Sequence, residues 1–411
     1  MIKHDILILG GGASGVFLAL LLADCGKDVA ILEGKDRILK KLLTTGNGRC
    51  NITNAQVMEN IPDRYTSANK DYRFSPLEIF PLEDTLGYFQ SLGLSFTTLE
   101  EGKMYPLSLQ SSSVVDLLRL ALEERQVPVY LQEKVQSIVK KDQFLVTTST
   151  ERYSANTVVV ATGGMAAPGT GSDGSMLKLL KGLGHRIIKP EPALVQLKLE
   201  SPLLRGLSGV KIQGEATLSL EGQPLRKEAG ELLFTDYGIS GPPILQLSRF
   251  LHPHLEEHKK LTVTLDLFPD FSAEEMKAMV LDQVATFSYR TAMDTFRSIL
   301  PNKLIPLILK EAGIERPSTV TGEVPPARFL ALASLLKAWT FPVTGTQGFN
   351  MAQGTYGGVD TLDVKETLES RKIPGLYFTG EVLDVLGACG GFNLQWAWST
   401  AGTVMKALTR S

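Results

Sequence analysis

Residues 5–33 read DILILGGGASGVFLALLLADCGKDVAILE and decide the fold of the N-terminal part. A short apolar strand ends at a glycine cluster, an apolar helix follows, and a second strand ends at Glu33. The cluster places Gly10, Gly12 and Gly15 in the spacing GxGxxG. This order predicts a βαβ unit that binds a dinucleotide at its strand-to-helix turn. The alternative is a glycine-rich turn in an ordinary α/β protein.

Each residue type in this unit has an expected role. Gly10 allows the tight turn, Gly12 leaves room for a pyrophosphate, and Gly15 lets helix and strand pack closely. The helix N-terminus offers free N–H groups and a partial positive charge. Glu33 can accept both hydroxyls of an adenosine ribose and would repel a 2′-phosphate, so FAD or NAD is expected rather than NADP. The candidate cofactor-binding residues are Gly10, Gly12, Ala13, Ser14, Gly15, Glu33 and Gly34.

The composition of the 411-residue chain is typical of a globular protein with two or three domains, since 43% of the residues are hydrophobic and 21% are charged. No apolar stretch reaches the roughly 18 residues of a spanning helix. The formal net charge is −2, so the whole molecule has no field that would attract nucleic acid or an anionic membrane. The N-terminus lacks a secretory signal pattern, and Cys25, Cys50 and Cys389 form no CxxC pair. We therefore expect a cytoplasmic protein.

A second set of segments points to FAD. Residues 111–124 predict an amphipathic helix opened by a serine cap, and the strands that follow end in ATGG at residues 161–164. Near the C-terminus, IPGLYFTGEVLD at 373–384 predicts another buried strand, which ends at Gly380 and Glu381. This pattern resembles the two-dinucleotide-binding-fold flavoproteins, in which such segments meet on one FAD. The resemblance implies cofactor contacts at Val135, Ala161, Thr162, Gly163, Gly164, Gly380 and Glu381.

Four longer motifs indicate a particular family within this class of flavoproteins. They are TTGNGRCNITN at 44–54, LLFTDYGISGP at 232–242, GTYGGVDT at 354–361 and GEVLDVLGACGGFNLQWAWSTAG at 380–402. In this order they resemble the BaiN/RdsA (YhiN-like) family of bacterial flavoproteins. The resemblance implies an α/β fold, with a doubly wound, Rossmann-type FAD-binding domain that carries an inserted antiparallel β domain and a small helical subdomain. Family members have been described as amine oxidases, bile-acid reductases and flavin-dependent makers of dihydrouridine in ribosomal RNA.

The family motifs add candidate contacts to the flavin. In the TTGNGRCNITN loop, the N–H groups of Gly46 and Gly48 could line the flavin or its pyrophosphate. Arg49 could pair with a phosphate, or it could only tie the loop to a neighbouring carboxylate. In the C-terminal motif, Gly391 precedes a helix that starts near Asn393, and this helix N-terminus would stabilise negative charge on the flavin pyrimidine. Further contacts are expected at Lys41, Thr45, Cys50, Asn51, Leu394 and Gln395.

Domain limits follow from changes in periodicity. Residues 1–189 and 345–411 are predicted to be the two parts of the FAD-binding domain. Residues 190–270 alternate at period two between glycine turns, which predicts an inserted β-rich domain. Residues 271–344 contain helix-length segments punctuated by prolines, which predicts a helical subdomain.

Two further patterns each allow a functional and a structural interpretation. PGTGSDG at 168–174 also fits GxGxxG and could be a separate NAD(P)H site, but no second strand with a terminal acid follows, which favours a capping loop. His252, His254 and His258 lie close together without a carboxylate shell, which favours a solvated loop over a metal site. We therefore expect no metal, and we expect NAD(P)H, if it is the electron donor, to reach the flavin through the substrate cleft.

Reduction of a C=C bond by a flavoenzyme needs an acid that protonates the second carbon. Cys50, beside the flavin-binding turn, is the first candidate acid and Cys389 the second. A small buried residue packed under the flavin is an equally good interpretation of Cys50.

The leading hypothesis is an FAD-dependent reductase of an unsaturated bond, in ribosomal RNA uridine or in a small molecule. The rivals are a flavin oxidase of small amines such as aminoacetone, which would produce hydrogen peroxide, and a non-catalytic flavin-binding protein. Charge supports an RNA substrate only locally. The basic residues concerned are Lys35, Arg37, Lys40, Lys41, Arg49, Arg205, Lys211, Arg226 and Lys227.

Overall fold

The chain divides into two units in a computed structural model that describes residues 1–255 and 259–409. The first unit consists of Met1–Ala193 together with the C-terminal part that begins at Phe349, and the second unit is Leu194–Gly348. His258, one of the three clustered histidines, lies outside the described residues. All the candidate cofactor residues belong to the first unit.

The strands are numbered in chain order through both units. They are β1 (Ile2–Leu9), β2 (Val29–Glu33), β3 (Thr53–Asn54), β4 (Tyr65–Thr66), β5 (Phe96–Thr98), β6 (Lys103–Pro106), β7 (Val129–Leu131), β8 (Val135–Lys140), β9 (Phe144–Thr148), β10 (Arg152–Val160), β11 (Ile187–Ala193), β12 (Leu197–Leu199), β13 (Lys211–Leu220), β14 (Gln223–Phe234), β15 (Gly238–Ser240), β16 (Leu261–Asp266), β17 (Trp339–Thr346), β18 (Gly354–Val359), β19 (Leu376–Phe378) and β20 (Leu386–Gly387).

The helices are numbered in the same way. They are α1 (Ala13–Asp24), α2 (Lys40–Thr44), α3 (Ile61–Arg64), α4 (Pro76–Ile79), α5 (Leu82–Ser91), α6 (Ser111–Glu124), α7 (Ser175–Gly182), α8 (Leu204–Leu207), α9 (Pro242–Ser248), α10 (His252–Leu255), α11 (Ala273–Thr286), α12 (Ala292–Thr295), α13 (Ile305–Glu311), α14 (Pro326–Lys337) and α15 (Phe392–Thr409).

The first unit is organised around a mixed sheet of seven strands. Its order within the described residues is β7–β2–β1–β10–β9–β8, and β19 also pairs with β10. The pairs β2–β7, β1–β2, β1–β10 and β10–β19 are parallel, whereas the pairs β10–β9 and β9–β8 are antiparallel. The parallel strands therefore end together at one edge of the sheet, which is where α/β proteins bind their ligands.

The first strand and helix explain why this sheet forms. In β1 the first four residues alternate in burial, and the last four, up to Leu9, are all buried. In α1 the nine residues from Ser14 to Leu22 are buried, so this helix is covered on all sides. Phe17 of α1 packs against Trp398 of α15 with ring centroids 5.0 Å apart. The two ends of the chain thus share one core.

Short contacts join the segment after the TTGNGRCNITN loop to the C-terminal motif. Strand β4 pairs with β20, and the Tyr65 hydroxyl donates to the Phe392 carbonyl oxygen at 2.9 Å. The Asp384 carboxylate accepts from the Ser67 hydroxyl at 3.0 Å and from the Ala68 N–H at 2.8 Å. Burial raises the pKa of Asp384, and these two hydrogen bonds oppose the increase. This network holds the start of α15 in place.

The second unit contains a closed antiparallel barrel in the order β12–β15–β14–β13–β16–β17. Strand β16 shows the alternation that predicts such strands, since Leu261, Val263 and Leu265 are buried and their neighbours are partly exposed. Helices α11 to α14 follow β16, and α11 begins with a capping box in which Ser272 and Glu275 satisfy each other's N–H groups. Side chains of the barrel and of these helices share one hydrophobic core. The predicted fold class, a Rossmann-type domain with an antiparallel insertion, is confirmed.

Candidate cofactor site

The turn after β1 contains three glycines with different surroundings. Gly10 has φ +109°, and a Cβ at this position would lie 2.5 Å from the Ala161 carbonyl oxygen. A Cβ at Gly15 would lie 2.1 Å from the Gly10 carbonyl oxygen, whereas a Cβ at Gly12 would lie 3.9 Å from the Ala161 oxygen. Gly10 and Gly15 are therefore needed for close packing of the backbone. Gly12 keeps open the space that a pyrophosphate-binding turn requires.

The N-terminus of α1 offers hydrogen-bond donors to this space. Gly12 is the N-cap and has no side chain to accept from the first turn, which contains no acidic residue. Ala13 and Ser14 line the adjoining cavity. An anion placed here would accept the free N–H groups and would be stabilised by the positive end of the helix dipole.

The carboxylate of Glu33 is fixed at the end of β2. One of its oxygens accepts from the Gly11 N–H at 2.8 Å, and the other accepts from the Lys35 N–H at 2.7 Å. A carboxylate has about four acceptor positions, so this side chain can still accept ribose hydroxyls. Its backbone partners therefore orient Glu33 without using up its capacity.

An ion pair connects α2 with the C-terminal motif at the same cavity. The Lys41 ammonium lies 2.8 Å from one Glu381 carboxylate oxygen, and the other oxygen accepts from the Thr355 N–H at 2.8 Å. Both charged side chains are about three-quarters buried, with 28% of Lys41 and 20% of Glu381 exposed. A positive charge held in this way faces the cavity, where it can meet an anionic ligand.

Most of the candidate residues line one cavity of about 260 Å³ in the first unit. They are Gly10, Gly12, Ala13, Ser14, Glu33, Gly34, Lys41, Thr45, Val135, Ala161, Thr162, Gly163, Gly380, Glu381, Asn393 and Leu394. The Oγ of Thr162 is buried and has no hydrogen-bond partner in the part of the chain that the structure describes. A buried hydroxyl without a partner at a cavity wall fits a bound polar group such as a flavin nucleotide.

The other candidates do not line this cavity. They are Gly15, Gly46, Gly48, Arg49, Cys50, Asn51, Gly164, Gly391 and Gln395. Arg49 is exposed, its guanidinium lies 5.3 Å from the centre of the Tyr105 ring, and no carboxylate among the described residues forms an ion pair with it. The arginine therefore stacks on an aromatic ring instead of tying the loop to a carboxylate.

Cys50 is fully buried behind the cavity wall. Burial raises the pKa of its thiol to about 12, although a hydrogen bond with Thr45 acts in the opposite direction. A thiol with this pKa and no exposed surface is a poor proton donor to a bound molecule. The placement therefore argues against Cys50 as the catalytic acid and favours its interpretation as a packed core residue.

The start of α15 shows which C-terminal residues hold the fold. A Cβ at Gly391 would lie 2.4 Å from the Thr53 carbonyl oxygen, so this glycine allows β3 to pass close to the helix. Gln395 is fully buried, and its amide is satisfied by Thr53, Thr85 and Ser399. Trp396 and Trp398 are buried as well and donate to backbone carbonyl oxygens. This set positions the helix and does not reach the cavity.

Asn393, Leu394 and Ala397 are the residues of α15 that line the cavity. The Asn393 side chain accepts from the Gly387 N–H at 2.8 Å and donates to the Gly387 carbonyl oxygen at 2.9 Å. It thereby fixes the loop that leads into the N-terminus of α15.

The sequence interpretation missed one wall of the cavity. Residues 170–176, which include most of the second glycine motif, line it together with Glu133, Lys134 and Gln353. The motif itself is the available signal, but its spacing favours only a capping loop over a separate NAD(P)H site and does not say which cavity the loop lines. The structure places it on the first nucleotide cavity instead.

Two features of the described residues concern other classes of ligand. No group of three or more His, Cys, Asp or Glu side chains within residues 1–255 and 259–409 could hold a metal ion. No helix in these ranges combines the length and the apolar character needed to cross a bilayer.

The fold and this cavity define a flavin-dependent oxidoreductase with a Rossmann-type nucleotide-binding domain. The family model described as "HI0933-like protein Rossmann domain" matches residues 4–407, and the chain belongs to this family. The predicted resemblance to the BaiN/RdsA group is thereby confirmed.

Two full-length relatives and one solved structure illustrate the similarity. The chain is 38% identical to a 3-dehydro-bile acid delta(4,6)-reductase of Clostridium scindens, over 97% of each protein. It is 31% identical to a ribosomal RNA dihydrouridine synthase of Escherichia coli, over 98% of this chain and 97% of the relative. A flavocytochrome c3 fumarate reductase in an open conformation gives a TM-score of 0.53 at 15% identity, covering 100% of this chain and 78% of the other. This last likeness concerns the fold alone.

Proposed function

We propose that the protein binds FAD in this cavity and reduces the C=C bond of an α,β-unsaturated carbonyl compound, with NAD(P)H as the electron donor. The observation that carries the proposal is the meeting of α1, Glu33, the Lys41–Glu381 pair and the start of α15 around one cavity. The N-terminus of α1 and Glu33 suit the pyrophosphate and the adenosine ribose of FAD. The Lys41–Glu381 pair and the start of α15 suit its redox-active ring.

The residues divide the work of binding. The N–H groups at the start of α1 bind the pyrophosphate, and Glu33 accepts the ribose hydroxyls of the AMP half. The ammonium group of Lys41 is fixed in the cavity by its ion pair with Glu381 of the C-terminal motif. Its charge and the N-terminal dipole of α15 stabilise negative charge on the flavin pyrimidine. When bound, the flavin supplies the hydride for the reaction.

The substrate class rests on what the two relatives have in common. One relative's name describes reduction at double bonds of a 3-dehydro, that is 3-oxo, bile acid. The other relative's name describes formation of dihydrouridine, in which a ring double bond next to a carbonyl is saturated. Both names therefore describe an electron-poor C=C bond that can accept a hydride at the carbon remote from the carbonyl. Ribosomal uridine is one member of this class and a 3-oxo-4,6-diene steroid acid is another.

The catalytic acid is not Cys50 in this proposal, because its thiol is buried outside the cavity. Cys389, which is half-buried and also lies outside the cavity lining, stays a prediction. Replacing each cysteine by alanine in the FAD-loaded protein separates the two. We expect Cys50→Ala to keep its rate of substrate reduction, and a hundredfold loss would restore Cys50 to the mechanism.

Reoxidation of the anaerobically reduced protein tests the activity. The FAD-loaded protein is reduced with NADPH or NADH, and its absorbance is followed after mixing with a 3-oxo-4,6-diene bile acid, with an unmodified ribosomal RNA fragment, or with air. We expect one of the two unsaturated substrates to reoxidise the protein faster than air does, with a saturated bile acid as the control. Rapid reoxidation by air alone would favour an oxidase and overturn the proposal.

A further inference from the structure

The second glycine motif forms one wall of the cofactor cavity without being a nucleotide-binding turn of its own. We name residues 170–176 the strap, because all of them line the cavity and they lead from the loop after β10 into the first turn of α7. At the strap, φ is +123° for Gly171, a conformation that favours glycine. The chain therefore bends sharply where it passes over the cavity.

The strap lies at the end of the cavity that contains Glu33. A Cβ at Gly171 would lie 3.8 Å from a Glu33 carboxylate oxygen and 3.5 Å from Cγ of Lys35. Farther along the strap, the Ser172 hydroxyl oxygen would lie 2.7 Å from a Cβ at Gly163. Since Glu33 is the proposed acceptor for the adenosine ribose, the part of the strap at Gly171 faces the AMP half of a bound FAD.

An ion pair ties the strap to a second segment that lines the cavity, residues 133–135. The Lys134 ammonium lies 2.6 Å from one oxygen of the Asp173 carboxylate, and the other oxygen accepts from the Ser175 N–H at 3.0 Å. Burial alone would raise the pKa of Asp173, but the hydrogen bonds from Lys134 and Ser175 lower it to about 2. Asp173 is therefore ionised at neutral pH and available to Lys134.

Lys134 stands on a segment that is itself fixed to the nucleotide-binding unit. The neighbouring Glu133 N–H donates to the Glu33 carbonyl oxygen at 2.9 Å, and Val135 begins β8. Glu133, Lys134 and Val135 line the cavity as the strap does. The ion pair consequently joins two segments that both line the cavity.

We propose that the strap closes over the AMP half of FAD and that the Lys134–Asp173 ion pair controls how fast FAD leaves. This inference rests on the proposed FAD function. A pair with 55% of Lys134 and 33% of Asp173 exposed contributes little to folding. Because it joins two segments that line the cavity, its effect is on cofactor release instead.

The test measures cofactor release in three variants and one control. Lys134→Gln, Asp173→Asn and the double variant remove the ion pair, and Asp173→Asn keeps an acceptor for the Ser175 N–H. Lys365→Gln is the control, because it removes a surface pair with Glu369, at 2.6 Å, outside the cavity lining. FAD release is followed by flavin fluorescence after dilution into excess ADP, and thermal melting of each apoprotein checks folding.

We expect each single variant to release FAD about 5-fold faster than the unaltered protein, and the double variant to release it no faster than either single variant. The dissociation constant of ADP should rise by the same factor, whereas that of FMN should not change. The control variant should match the unaltered protein in all three measurements.

Three results would overturn the strap proposal. They are unaltered FAD release in the single variants, additive effects in the double variant, and an equal weakening of FMN binding. Each of them leaves FAD binding by the unaltered protein intact. Failure of the unaltered apoprotein to bind FAD would contradict the proposed function itself.

Discussion

Two segments of the chain share the spacing GxGxxG, and the structure uses them in different ways. In the first, methyl groups added at Gly10 and Gly15 would lie 2.5 Å and 2.1 Å from backbone carbonyl oxygens. In the second, a methyl group at Gly169 would meet nothing within 4 Å, and the three atoms nearest to one at Gly174 would all belong to the side chain of Met165. The glycines of the first segment pack against backbone atoms. In the second segment, Gly169 has open space beside it and Gly174 packs against a flexible side chain.

The difference shows what makes a glycine motif a dinucleotide turn. The first segment follows β1, a strand in the middle of the sheet, and it lies against the end of β10, the neighbouring strand. The second follows a loop after β10 and leads into α7, with no paired strand before it. Strand context and backbone contact, not spacing, distinguish the two, and four substitutions test that distinction.

The largest effect is expected at Gly15. In Gly15→Ala the new methyl group would collide with the carbonyl oxygen of Gly10, a residue whose N–H donates to the Leu32 carbonyl oxygen of β2. We expect the free energy of unfolding of the apoprotein to fall by about 3 kcal/mol, because backbone cannot move aside as a side chain can. Urea unfolding followed by tryptophan fluorescence measures this loss. An unchanged midpoint would show that the turn is not locked by backbone.

At Gly12 we expect a loss of FAD affinity instead of a loss of stability. In Gly12→Ala the methyl group has the Ala161 carbonyl oxygen at 3.9 Å as its closest neighbour, and φ is −82°, which alanine tolerates. Apoprotein stability should change by no more than about 0.5 kcal/mol. The dissociation constant of FAD should rise about 100-fold, or about 2.7 kcal/mol, because the methyl group fills the space for the pyrophosphate. Titration of the apoprotein with FAD measures it, and an unaltered constant would place the pyrophosphate elsewhere.

The fold could be predicted because its signals are local. Periodicity and the glycine turn identify β1, α1 and β2, and the helix expected at residues 111–124 is α6 (Ser111–Glu124). Tertiary contacts decide what the sequence interpretation missed. The serine cap expected for α6 is absent, because the hydroxyl of Ser111, its first helical residue, donates to the Leu43 carbonyl oxygen. Strands β7 and β8 are close in sequence but lie at opposite edges of the sheet.

The candidate site also contains residues that local signals predict and residues whose placement depends on tertiary contacts. Residues next to a strand end, such as Glu33 and Thr162, line the cavity, since strand ends of a parallel sheet meet at one edge. Residues of the TTGNGRCNITN loop divide less predictably: Thr45 lines the cavity, whereas Cys50 is buried behind it. Which side of a loop faces a ligand depends on its packing partners, and the sequence pattern does not contain them.

A smaller effect is expected at Gly174 in the second motif. Its φ of +70° strains alanine, and the added methyl group would displace the Met165 side chain. We expect Gly174→Ala to lower the free energy of unfolding by about 1 kcal/mol, because methionine repacks easily. Gly184→Ala is the matched control, since φ there is +92° and nothing lies within 4 Å. The difference between these two variants in the free energy of unfolding, measured with urea, isolates the contact with Met165. A loss of stability as large as that at Gly15 would remove the contrast between the motifs.

The smallest effect is expected at Gly169. This residue is exposed, it has no neighbour within 4 Å of an added methyl group, and it is not among the residues with positive φ. Alanine restricts the unfolded chain more than glycine does, so Gly169→Ala should leave stability unchanged or raise it by about 0.5 kcal/mol. FAD affinity should also stay the same. If Gly169→Ala weakened FAD binding as strongly as Gly12→Ala, the second motif would bind phosphate in its own right, and its interpretation as a strap would have to be abandoned.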